Sequence, residues 1–121
     1  MKNRGVNFLF VCTGNVSRSP AAEAVFQDLT SGRYGIRSAG ISPFCPRPLS
    51  RDDVGWADVV AVMEGDHRAF IVERWPDAAS KVRVLEIEDR YHRHDPVLLR
   101  LLEAKLGTLL AEIEGGGMIG T

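Results

Sequence analysis

Val6-Asn7-Phe8-Leu9-Phe10-Val11-Cys12-Thr13-Gly14-Asn15-Val16-Ser17-Arg18-Ser19-Pro20 is the stretch that decides the fold. Its first part, Val6 to Val11, is β-branched and aromatic and of strand length, which predicts a buried strand. The second part, Cys12 to Ser19, carries Gly14, Asn15 and two serines and reads as a loop. Pro20 then stands where a first helical position belongs, with Ser19 as N-cap. Ala21, Ala22, Ala24, Val25, Phe26 and Leu29 follow at helical spacing. Glu23 in the first turn suits the helix dipole, and Ser31-Gly32 is a stop signal.

The same reading extends along the chain. Tyr34 to Ala39 predicts a second strand closed by Gly40, and Ile41 to Ser50 a loop punctuated by Pro43, Pro46 and Pro48. Ser50 to Trp56 has room for a short helix. Asp58 to Met63 reads as a third strand, Gly65 to Trp75 as a helix stopped by Pro76, and Lys81 to Ile87 as a fourth strand. Glu88 to His94 is a charged loop. Asp95-Pro96 opens a long helix by N-cap and N1 logic, running to about Glu114 with an apolar stripe of Leu98, Leu102, Leu106, Leu109 and Ile113. Strands alternating with helices predict an α/β fold: a small four-stranded parallel sheet with helices on both faces. Residues 1–114 form the expected single domain, and 115–121, with Gly115-Gly116-Gly117, a flexible tail. Ligands of such sheets bind beyond the carboxyl ends of the strands, where Cys12 to Ser19 lies.

That loop carries the chemistry. Curled between strand and helix, Thr13, Gly14, Asn15, Val16, Ser17, Arg18 and Ser19 can point backbone N–H groups inward and make an anion nest at the positive end of the helix. Gly14 supplies backbone freedom for the turn. The planar fork of Arg18 can hold two phosphate oxygens and neutralise charge on a transferring phosphoryl group. Cys12, on the cradle floor, would be stabilised as a thiolate and aimed at phosphorus. Ser19 is placed to donate to its sulfur, and Asn15 to hold the loop in shape. Cys at a strand end is more commonly a small buried hydrophobe, and a bare C-x5-R spacing is weak. The flanking strand, helix, Gly, Asn and Ser-Pro make it specific.

Composition narrows the remaining classes. The chain has 121 residues, so one domain is expected; 45% hydrophobic and 26% charged residues argue against disorder or a fibre. A net charge of −1 gives no basic excess for nucleic acid or an anionic membrane, so neither is an expected partner. Two cysteines, Cys12 and Cys45, are too few for a disulfide scaffold, and with three histidines they build no zinc quartet. Val6 to Val11 is too short for a signal peptide or a membrane span, which makes a reducing cytoplasm the expected setting.

FVCTGNVSRSPAAEAVF closely resembles the signature of the low-molecular-weight protein tyrosine phosphatases. Arg37-Ser38-Ala39-Gly40 resembles that family's second strand, Asp95-Pro96 its Asp-Pro general-acid loop, and WADVVAVMEGDHR and the last helix a compact bacterial branch. The resemblance spans about residues 6 to 110. It implies a phosphomonoesterase, with a phosphotyrosine protein or a small aryl phosphate as substrate. Cys12 would attack phosphorus to form a phosphocysteine. Asp95 would protonate the leaving oxygen and then serve as base for the hydrolytic water. No metal or organic cofactor is implied.

Departures from the family pattern qualify this. The chain is shorter between Gly40 and Trp56, where part of the pocket wall arises. Val97 replaces a frequent aromatic after Asp-Pro, and Tyr91 could supply that wall instead. Ser17 replaces a second cysteine, which removes the usual redox protection. Val16 fills a slot that holds Thr in the related protein-arginine phosphatases, which argues against phosphoarginine. From the residues alone, Asp95 reads first as an ordinary helix cap, and it is the resemblance that makes it the acid, with Asp89 and Glu88 as reserve acids. His92 and His94 lack a third metal ligand nearby and read as solvated, adding with Arg90 and Arg93 to a positive rim. Cys45, among prolines, reads as incidental unless its loop folds over Cys12. Arsenate reduction is an alternative that would need cysteines beyond Cys45. A phosphate-sensing module without turnover is another, opposed by the retained Cys12 and Arg18. Oligomeric state is left open.

Overall fold

The computed structural model describes residues 5–119. Four strands, β1 (Asn7–Cys12), β2 (Gly35–Gly40), β3 (Val59–Val62) and β4 (Val82–Val84), form one parallel sheet in the order β2-β1-β3-β4. Four α-helices connect and follow them: α1 (Arg18–Thr30), α2 (Arg51–Trp56), α3 (Gly65–Arg74) and α4 (Pro96–Ile119).

Alternation along β1 sorts the core into two layers, because successive strand residues face opposite sides. Phe8, Phe10 and Cys12 turn toward α1 and α4, where they meet Ala22, Phe26, Leu98, Leu102 and Leu106. Leu9 and Val11 turn the other way and pack with Val54, Ile71 and Ala78 under α2 and α3. The expected stripe on the last helix is the seam of the first layer: Leu98, Leu102, Leu106 and Leu109 are buried and Ile113 packs at its edge. Each such leucine contributes about 2 kcal/mol of transfer free energy.

Several boundaries moved. The first helix begins at Arg18, with Ser17 at the cap position and no side-chain cap, so Ser19 is not its N-cap and Pro20 not its first residue. The reason is that the Ser19 hydroxyl is turned inward to Cys12. Residues Pro76–Lys81 form a 3-10 turn, and β4 is only three residues long, although Leu85 and Ile87 still donate to Val62 O and Met63 O. The α2 helix is short and held by reciprocal bonds between Ser50 and Asp53. Helix α4 continues past Glu114 to Ile119; residues 120 and 121 of the expected tail lie outside the described residues. Among the described residues, no helix is long and apolar enough to cross a membrane.

The sheet order positions the site. The chain leaves β1 for β2 on one side, then crosses back to β3 on the other. The carboxyl ends of β1 and β3 therefore flank the point where winding reverses, the place where open α/β sheets leave a crevice. Cys12 ends β1 there, and Met63-Glu64 follows β3 there.

Candidate active site

Cys12 is buried at the end of β1, with its sulfur beneath the loop that leads into α1. Asn15 N–H donates to Cys12 Sγ at 3.2 Å. Ser19 Oγ lies 3.0 Å from the same sulfur. Asn15 Nδ2 donates to Ser19 Oγ at 2.8 Å, which leaves the serine proton free to point at sulfur. Two donors therefore converge on the Cys12 sulfur.

Asn15 also makes the turn. Its φ of 51° lies in the left-handed region, and Gly14 is not among the residues with positive φ. The conformational freedom expected of Gly14 is thus supplied by Asn15, a residue type that tolerates this region and here anchors it by its side-chain amide. Among the other cradle residues, Thr13 and Val16 are exposed and Gly14 and Ser17 half-buried. The first turn of α1 has no side-chain cap.

Arg18 is 2% exposed, an uncommon burial for a full charge. Its Nη1 donates to Glu64 Oε1 at 2.6 Å and to Ile87 O at 2.7 Å. Nη2 lies 3.5 Å from Thr13 Oγ1 and 3.8 Å from Asp89 Oδ2. One edge of the guanidinium is anchored to protein, and the other turns toward the loop. Glu64 and Ile87 come from beyond β3 and β4, so three strand ends meet on this one side chain.

Behind Arg18 lies His67, fully buried in the first turn of α3. Glu64 N–H donates to His67 Nδ1 at 2.9 Å, and His67 Nε2 lies 2.9 Å from Thr13 Oγ1. Burial holds the His67 pKa below its ordinary value, with the Arg18 charge acting in the same sense against Asp66, Glu64 and Asp89. Glu64, Asp66 and His67 sit close enough to suggest a metal cluster. Both His67 nitrogens are already hydrogen-bonded and Glu64 is paired with Arg18, so the group is committed to other work.

The proline-rich loop after β2 packs against the cradle from outside. Ile41 N–H donates to Cys12 O and Ser42 N–H to Thr13 O, each at 3.0 Å. Gly40 stands at the point of contact: a Cβ there would meet Thr13 O at 2.7 Å, Cys45 Sγ at 2.8 Å and Asn15 N at 2.9 Å. Only glycine allows that approach. Cys45 is half-buried beside Gly40, both cysteines are free, and Phe44 next to it is 94% exposed.

The fold joins Cys12, Asn15 and Ser19 in one hydrogen-bond network, and Thr13 and Arg18 in a second. Asp95 is used differently: its Oδ1 accepts from Val97 N–H at 2.8 Å, and its carbonyl from Leu99 N–H, so it caps α4. Asp89, the reserve acid, is the carboxylate that reaches Arg18 from the charged loop. Tyr91, two residues on, packs at the edge of the first core layer, whereas His92 and His94 are exposed. Sequence reasoning missed Glu64 and His67. Their only signal was position, just past the carboxyl end of a central strand.

The sequence profile of the low molecular weight phosphotyrosine protein phosphatases matches residues 7–45. A protein-arginine-phosphatase of Geobacillus stearothermophilus is 29% identical over 100 residues, covering 64% of this chain and 68% of that protein. The low molecular weight protein-tyrosine-phosphatase YfkJ of Bacillus subtilis is 49% identical over 41 residues, 30% of this chain and 26% of that protein. The crystal structure of YfkJ superposes with a TM-score of 0.75 at 25% identity, covering 94% of this chain and 99% of that one.

Proposed function

We propose that this chain, which belongs to the low molecular weight phosphotyrosine protein phosphatase family and is a cysteine-based phosphatase, hydrolyses aryl phosphomonoesters, with phosphotyrosine in a protein as its substrate class. The observation that carries the reading is the pair of donors on Cys12 Sγ beneath a loop whose arginine is buried and pre-aimed.

In the first step Cys12 Sγ attacks phosphorus and the bond from phosphorus to the aryl oxygen breaks. Backbone N–H groups of the loop and the Nη2 edge of Arg18, which lies beside Thr13 Oγ1, take the equatorial charge. A carboxylic acid gives its proton to the departing oxygen. In the second step water attacks the phosphocysteine, the same carboxylate takes the water proton, and the S–P bond breaks. The sulfur leaves as a thiolate that accepts from Ser19 and Asn15.

We assign the acid to Asp89 rather than Asp95. The Asp89 carboxylate is 70% exposed and 3.8 Å from Arg18, which puts it where a leaving group of a phosphoryl ester held by Arg18 would depart. The Asp95 carboxylate is occupied by its own helix. Tyr91 and the exposed Phe44 and Val16 supply apolar surface near the loop for an aromatic ring. A free thiol nucleophile suits a reducing compartment, consistent with a cytoplasmic enzyme.

Turnover of an aryl phosphate by wild type, Cys12→Ser, Asp89→Asn and Asp95→Asn tests the scheme. The expectation is no turnover for Cys12→Ser, a fall of about 10² to 10³ for Asp89→Asn, and a small change for Asp95→Asn. A large loss confined to Asp95→Asn returns the acid to α4. Similarity to a protein-arginine-phosphatase favours phosphoarginine as a second substrate. The exposed Val16, with no hydroxyl, weighs against it, and faster turnover of phosphoarginine than of phosphotyrosine would reverse the choice.

A further inference from the structure

We infer that His67 is a positioning residue of the phosphate cradle: with its proton on Nε2, it fixes Thr13 Oγ1 as a hydrogen-bond donor to the phosphoryl oxygen held by Arg18. The inference rests on the phosphatase reading for its ligand, a phosphoryl group.

The backbone settles the tautomer. An amide N–H can only donate, so Glu64 N–H at 2.9 Å requires an unprotonated Nδ1. The ring is fully buried, and burial disfavours its charged form. The single proton therefore sits on Nε2 and is donated to Thr13 Oγ1 at 2.9 Å. The charged groups facing the ring are Arg18 from α1, Glu64 and Asp66 at the start of α3, and Asp89 from the loop after β4.

Thr13 is then constrained in turn. Its oxygen accepts from His67 and lies 3.5 Å from a second donor, Arg18 Nη2. A hydroxyl whose oxygen receives two donors must direct its own proton elsewhere. Thr13 is exposed, in the residue that follows the nucleophile, so that proton is available at the mouth of the cradle. An oxygen seated on Arg18 Nη2 comes within reach of Thr13 Oγ1, because the two groups are already 3.5 Å apart. Without His67, the threonine rotor is free to turn its proton away and to present a lone pair to an anion, which repels it. The same histidine holds the Glu64 backbone, from which the Arg18 anchor projects. One buried ring thus orders two of the groups that meet phosphate.

A double-mutant cycle read by binding of inorganic phosphate tests this. Calorimetry gives the affinity, and protection of the Cys12 peptide from iodoacetate, read by mass spectrometry, gives it independently of turnover. Thr13→Val and His67→Leu are each expected to weaken phosphate binding about tenfold, the loss of one hydrogen bond to a charged ligand. The double variant is expected to be little worse than either single one, because both remove the same donor. Thr13→Ser, which keeps the hydroxyl, recovers most of the loss, as does His67→Gln, which keeps an N–H donor. A purely structural role for His67 would lower melting temperature without this recovery and would give additive losses. Additive losses, or wild-type phosphate affinity in Thr13→Val, overturn the inference. If His67→Leu does not fold, Thr13→Val at its exposed site and His67→Gln still decide it. A wild-type protein that binds phosphate but hydrolyses no aryl ester fails the proposed function alone, and one that binds no phosphate overturns both.

Discussion

Replacing Glu64 with Gln is the sharpest probe of how the arginine is held. Arg18 is 2% exposed, and its nearest negative charge is Glu64 Oε1 at 2.6 Å; Asp89 at 3.8 Å is farther and 70% exposed. Gln keeps the volume and an acceptor oxygen but removes the charge. Removing one partner of a fully buried ion pair costs about 3–5 kcal/mol. Glu64 is 38% exposed, so water screens part of its charge. With that screening and the retained hydrogen bond, the expected cost falls to about 2 kcal/mol. For a domain of this size that is roughly 8 °C in melting temperature. The effect on catalysis is predicted to fall on kcat. Loss of a nearby carboxylate favours anion binding as such, while a loosened guanidinium plane misaligns the clamp that the transition state needs. Thermal melts, aryl phosphate kinetics and inhibition by inorganic phosphate together read this out. The expected pattern is a lower melting temperature, kcat down about tenfold or more, and phosphate inhibition changed much less. A variant that melts within about 1 °C of wild type and keeps kcat within about twofold refutes the reasoning, and leaves Ile87 O and Asp89 as sufficient anchors.

Gly40→Ala introduces a Cβ at 2.7 Å from Thr13 O and 2.9 Å from Asn15 N, so the cradle backbone must give way. A loss of about 1–3 kcal/mol in chemical denaturation, with weakened phosphate binding, is expected. Unchanged phosphate affinity would show that the loop after β2 yields instead. Asn15→Ala loses the amide that fixes Ser19 and leaves a β-carbon residue at φ 51°, and about 1–3 kcal/mol of stability with slower Cys12 alkylation should go with it. Stability should also fall on mild acidification. The folded-state pKa of His67 lies below its unfolded value of about 6.5, so as pH falls the unfolded chain takes up the proton first. The loss begins near the unfolded value and levels off below the folded one. Urea midpoints between about pH 5 and 8 for wild type and His67→Gln check it, since the variant should lack this component.

Much of this protein is legible without coordinates because its signals are local. Short β-branched and aromatic runs marked the strands, and helical spacing with Pro and Gly punctuation marked the longer α-helices. The span from Cys12 to Arg18 closes within one loop, so thiol and guanidinium are neighbours in any fold that keeps the strand and the helix. Local signals also mislead where two roles share one pattern. Ser19 before Pro20 reads as a cap, yet its hydroxyl serves Cys12, because a buried sulfur and Asn15 compete for it. Asp95-Pro96 has the form of an acid loop and of an N-cap, and nothing within those residues separates the two.

Sequence by itself therefore determined the α/β class and the loop that carries Cys12 and Arg18. Tertiary structure decided what holds Arg18. Glu64 lies 46 residues from Arg18, His67 54 residues from Thr13, and Ile87 69 residues from Arg18. They meet because the chain crosses from β2 over β1 to β3, bringing the carboxyl ends of β1, β3 and β4 to one edge. It is that crossover, with no signature in any short window, that places Asp89 beside Arg18 and leaves Asp95 on its helix.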